Sequence, residues 1–141
     1  MLVEGWNTGW DGDWIQNSEL FSFTEGYPDF DIEKVSEHGK NVGVKLIGHH
    51  ETSGGITNYE EQMEDGFALY ERMGVEQIKT GYVAHGQSLK RKDENGVMRF
   101  EYTDSQDVVN HFIHNVKTAA KYGLSINTAV VEFMLKNSTI R

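Results

Sequence analysis

Four short apolar runs alternate with three segments of helical period, and this alternation constrains the fold of the 141-residue chain more than any other feature. The runs are "LVEGW" (2–6), "VKLIGHH" (44–50), "VEQIKTGYV" (75–83) and "LSINTAVV" (124–131), each of strand length. A first helix is expected from about Asp31, a capping residue just beyond Pro28, to Asn41, with Ile32, Val35 and Val42 near helical spacing and Gly43 as its stop. A second opens at Thr57 or Asn58, with Glu60 and Glu61 in capping-box position. Its stripe is Tyr59, Met63, Phe67 and Tyr70, and Gly74 closes it. A third starts near Asp104 or Ser105, turns Val108, Val109, Phe112, Ile113, Val116 and Ala120 inward, and ends at Gly123. Strands separated by helices of about ten residues or more specify parallel pairing through crossover connections.

Two parallel architectures compete, an open doubly wound sheet and a (β/α)8 barrel. No G-x-G-x-x-G follows any of the runs, which weakens the nucleotide-binding form of the open sheet. In a barrel the C-terminal strand ends carry the chemistry. Those ends read Glu4-Gly5-Trp6-Asn7, His49-His50-Glu51 and Lys79-Thr80-Gly81-Tyr82, so polar side chains gather at one end of successive strands. The expected fold is therefore α/β, a partial (β/α)8 TIM barrel. About 250 residues are usual for the whole barrel, and this chain supplies roughly half. Met1 leads straight into an apolar run, which reads as a fragment of a larger catalytic domain over 1–141.

Bulk properties remove several function classes. A formal net charge of −9 argues against nucleic acid, which needs clustered Lys and Arg. The basic stretch "LKRKDENG" (89–96) contains its own acids and reads as a solvated loop. With no cysteine, thiol catalysis, disulfides and thiolate metal sites are excluded. No apolar run approaches the roughly 18–20 residues of a membrane span. The N-terminus has no basic n-region and does not read as a signal peptide.

The strand ends suggest the chemistry. Side chains alternate along a strand, so His49 and Glu51 share one face while His50 points to the other. A carboxylate at a barrel mouth can act as a general base on water, and a neighbouring imidazole can hold a sugar hydroxyl. The blander reading is a turn whose polar groups satisfy local backbone donors. His-x-Glu on one face could also offer two metal ligands, with no third in sight. Lys79 either supplies a fixed positive charge to a substrate oxygen or is an exposed strand-edge charge. The "EGWNTGWDGDW" loop (4–14) suits a carbohydrate, because indoles stack on sugar C–H faces and Asn and Asp accept hydroxyls. Tryptophans in a Gly-rich loop also serve simply to pack it down. His111 and His114 read as helix-face residues, not ligands.

The segments "LVEGWNTGW", "FSFTEGYPDFDIEKV", "GVKLIGHHETSGGITNYEEQMEDGFALYERMGV", "IKTGYV" and "VVNHFIHNVKTAAKYGLSIN" resemble, in order, the catalytic barrel of glycoside hydrolase family 97, the family of starch-utilisation α-glucosidases of gut Bacteroidetes. The resemblance covers nearly all of positions 2–127, and the combination "GHHETSG…NYE…IKTGYV" is specific. It implies hydrolysis of α-glucosidic bonds in malto-oligosaccharides and a periplasmic location. It maps a water-activating base onto Glu51 and sugar contacts onto His49 and Lys79, with Trp6 and Asn7 as further contacts in a loop that walls the pocket. Retaining members lack this glutamate and carry an acid near an earlier strand tip, where this chain has Gly5; Glu51 and Gly5 together imply inversion. Inversion needs two carboxyl groups roughly 6.5–9.5 Å apart.

The resemblance also implies calcium, but most of its ligands are absent from this sequence. After "GLSIN" the family continues with a His-Glu pair at the next strand tip. Here positions 128–141 depart, and Glu132 is a poor substitute. General acid and second base are both missing, so the expectation is an inverting α-glucosidase-like hydrolase inactive as this fragment. The alternative is a non-catalytic carbohydrate-binding remnant.

Overall fold

The computed structural model describes residues 1–83 and 88–128. After an N-terminal segment with one 3-10 turn (Trp14–Gln16), the elements are α1 (Ile32–Asn41), β1 (Gly48–Glu51), α2 (Ile56–Arg72), β2 (Gln77–Gly81), β3 (Ser88–Lys92), β4 (Met98–Tyr102), α3 (Gln106–Lys121) and β5 (Ser125–Thr128). Glu132 and the divergent tail beyond Thr128 lie outside the described residues.

The parallel expectation holds. β1 pairs with β2 and β2 with β5, all parallel, in the order β1-β2-β5. The "LVEGW" run is no full strand, but Leu2 bridges Ile47 in parallel and so sits beside the entry to β1. Chain order and spatial order therefore agree, with a helix between each parallel neighbour and the next. The chain is a mixed α/β structure built on a parallel sheet.

Helix boundaries follow local chemistry. Asp31 accepts from Lys34 N at the start of α1, and Ser105 accepts from Val108 N at the start of α3. The expected capping box of α2 does not form. That helix begins earlier, after Gly55, with no side-chain cap, and Thr57 Oγ1 instead accepts from Lys92 N. Val42, expected on the buried stripe of α1, is exposed.

Two further expectations are corrected. "LKRKDENG" is not a loop: β3 and β4 form an antiparallel hairpin with Leu89 buried. Its charges pair within it, Arg91 with Glu101 and Arg99 with Asp93, which stabilises strands of low apolar content. In α3, Val109, Ile113, Val116 and Ala120 face solvent, while Val108, His111, Asn115, Thr118 and Ala119 are buried. Apolar periodicity misplaced that face because polar residues bury there, His111 and Asn115 both meeting the Tyr82 hydroxyl.

The core lies between the sheet and its helices. Tyr59, Met63, Phe67 and Tyr70 of α2 are fully buried, as the stripe predicts, with Phe23, Ile78 and Val108. Tyr70 lies over Gly48, where an added Cβ would come within 2.6 Å of the ring.

Candidate active site on the sheet face

β1 ends on two histidines and a glutamate that are all buried. Its register places His49 beside Lys79 and Glu51 beside Gly81. Alternation then puts His49, Glu51 and Lys79 on one face and sends His50 to the other. His50 stacks on Phe67 of α2 at 5.8 Å between centroids, and its Nδ1 lies 3.1 Å from Tyr59 OH. Burial pushes the His50 pKa down to about 3.

His49 lies flat against Trp10, with centroids 5.7 Å apart and planes at 29°. Its Nε2 is 3.7 Å from Glu4 Oε1. Burial lowers its pKa to about 4, a fall that Glu4 opposes and Lys79 reinforces. The ring is therefore neutral near pH 7, suited to hydrogen bonding rather than to carrying charge. Lys79 Nζ donates to Glu4 Oε1 at 2.6 Å, and that bond is the main reason the Glu4 carboxyl sits below its ordinary value.

Glu51 is held from two sides. Its Oε1 accepts from Ser53 N at 2.9 Å and from Val83 N at 3.0 Å. Ser53 adopts φ 48°, a left-handed conformation that turns its amide back onto the carboxylate. The second oxygen packs over Gly81, where an added Cβ would stand 1.8 Å away. Position 81 must therefore be glycine for the carboxyl group to lie where it does. Burial raises the Glu51 pKa against the opposing pull of the two amides and of Lys79. A carboxylate that resists ionisation but is steadied by amides is a stronger base once ionised.

His49, Glu51 and Lys79 thus come together, but Trp6 and Asn7 do not join them as ligands. Trp6 is 2% exposed, donates its indole N–H to Tyr70 OH at 3.0 Å and meets that ring edge-on. Asn7 is fully buried, donating to Ser22 O and accepting from Trp10 Nε1 at 3.2 Å. Both brace the loop. Trp10, in the middle of that loop, is the tryptophan that meets the site. Sequence reasoning assigned no role to Glu4, although it stands at the same end of the preceding run as Lys79 and Glu51 do in theirs. The bond to Lys79 spans 75 positions, which no local spacing reveals.

Among the described residues no three His, Asp or Glu side chains stand together as metal ligands. Glu51 Oε1 already accepts from two backbone amides, so the described residues at this strand end do not fit a calcium ion.

The family model for glycoside hydrolase 97 matches residues 1–130. Among solved structures, a glycoside hydrolase family 97 enzyme from Pseudoalteromonas sp. strain K8 in complex with acarbose is 60% identical, with a TM-score of 0.87. A single-residue variant of that enzyme in complex with panose, and a second variant, match to the same extent. Each match covers 90% of this chain, which spans only 19% of the matched chain. The chain belongs to glycoside hydrolase family 97.

Proposed function

We propose that this chain forms part of the catalytic (β/α)8 barrel of an inverting α-glucosidase-like hydrolase that cleaves malto-oligosaccharides in the periplasm. The supporting observation is the face shared by Glu51, His49 and Lys79, opposite the helices. On it Glu51 takes a proton from the water that attacks the anomeric carbon. Neutral His49 and the Lys79 ammonium bind sugar hydroxyls, with Trp10 beside them as an apolar wall for a sugar ring. Glu4 orients Lys79 through their short bond. The sequential order of the parallel segments is the order of successive barrel strands. The relative's complexes with acarbose and panose support an oligosaccharide as ligand. Calcium, by this reading, is held in the complete enzyme by carboxylates beyond the described residues.

A second reading, a sugar-binding remnant without turnover, is favoured by one observation. The other carboxylate beside these residues, Glu4, is engaged by Lys79, leaving no acid among the described residues to protonate the leaving oxygen. Loss of such an acid costs about 10²–10⁴ in rate. Turnover of aryl α-glucosides and calorimetry with maltose, on the chain and on Glu51→Gln, test both. The expected result is maltose binding by both proteins with negligible turnover by either. Native-like hydrolysis by the chain overturns the inactivity, and absence of maltose binding overturns the assignment of this face.

A further inference from the structure

We infer that Glu60, His111 and Tyr82 form a positioning network that fixes the Gly81–Val83 peptide and, through the Val83 N–H, keeps Glu51 in place. The inference rests on Glu51 being the base of the proposed reaction.

Three elements meet in this network: Glu60 lies in the first turns of α2, His111 and Asn115 lie one turn apart on α3, and Tyr82 follows β2 directly. His111 Nδ1 is 2.7 Å from Glu60 Oε1, and His111 Nε2 is 2.8 Å from Tyr82 OH. Asn115 Nδ2 donates to the same hydroxyl at 3.1 Å. A carboxylate only accepts, so the Nδ1–H of His111 points to Glu60; with the ring in that neutral tautomer, Nε2 accepts from the Tyr82 hydroxyl. Asn115 completes the chain by donating to the phenol oxygen. His111, Tyr82 and Asn115 are all buried, so each bond that fails leaves a desolvated polar group without its partner.

Tyr82 is anchored on the helix side, and both of its neighbours touch Glu51. Gly81 lies under the carboxylate, and Val83 N donates to it. The Gly81 carbonyl is in turn gripped by Thr52, through backbone N–H at 2.9 Å and hydroxyl at 2.8 Å. The peptide that supports the base is thus clamped from β1 on one side and from the α2–α3 interface on the other. Lys79 from β2 and His49 from β1, with Glu4 beyond them, are the ionisable groups on the Glu51 face among the described residues, and none belongs to the network.

The backbone amides of Val83 and Ser53 report the ionisation of Glu51 directly, so a pH titration of their nitrogen–proton resonances in the full chain tests the inference without any sugar. Loosening the network weakens the Val83 bond to the ionised carboxyl group. Tyr82→Phe is expected to raise the Glu51 midpoint by about half a pH unit or more, and Glu60→Gln to raise it by less, in the same direction. Glu64→Gln, an exposed partner of Lys121 on the same helix, leaves the midpoint unchanged. An unshifted midpoint in folded Tyr82→Phe overturns the network. If that variant does not fold, an unshifted midpoint in Glu60→Gln overturns it instead. A shifted midpoint in a chain that fails to bind maltose leaves the network standing and removes only the proposed function.

Discussion

His49 and His50 are chain neighbours with the same side chain, yet the pleat gives them unrelated tasks. Both are buried and both are held neutral, at about 4 and about 3 against an ordinary 6.5. In the unfolded chain they take up protons near the ordinary value, so below it the unfolded state binds more protons and stability falls with pH. The loss reaches about 1.4 kcal/mol per pH unit for each histidine. Glu51 acts in the opposite sense. Its raised pKa lets the folded state gain a proton first on acidification, which offsets part of that loss. Thermal melts in steps from neutral to mildly acid pH should show a falling midpoint, falling more steeply in Glu51→Gln; a level midpoint contradicts both burial effects. The facing of these residues was legible from alternation alone. The clamp on Glu51 was not, because Ser53 and Gly81 act through backbone geometry, and no side-chain type in the sequence signals a backbone amide aimed at a carboxylate.

At the scale of elements, the contact of α2 with β1 decides whether the site residues sit in register. Tyr70 rests on Gly48, donates to His49 O at 3.1 Å and accepts from His49 N at 3.0 Å, so one phenol supports the strand that carries the site. Gly48→Ala forces a methyl group into that ring and should cost about 1–3 kcal/mol, read as a lowered denaturation midpoint with unchanged denaturant slope. Stability equal to that of the native chain would show that Tyr70 moves aside freely. The α2 stripe was readable because its apolar spacing is regular. The face of α3 was misread because His111, Asn115 and Thr118 bury polar groups, and a polar residue counts as outward in any hydrophobic period. The β3–β4 hairpin was missed for a related reason: its strands are held by cross-strand charge pairs, and the basic cluster concealed the alternation around Leu89.

For the molecule as a whole, the strand–helix alternation specified parallel pairing, and the order of the parallel segments follows the chain. Family membership rests on the match over residues 1–130, while the chain spans a fifth or so of the matched enzyme's length. The decisive question is which face of the sheet meets sugar. His49 and His50 are built-in reporters for the two faces, and a maltose titration followed on their ring carbon–proton resonances reads both at once. The expected result is a saturable shift of the His49 signal with the His50 signal stationary. A His50 shift as large as that of His49, or a His49 signal unmoved while maltose binds, contradicts the placement of the site on the Glu51 face.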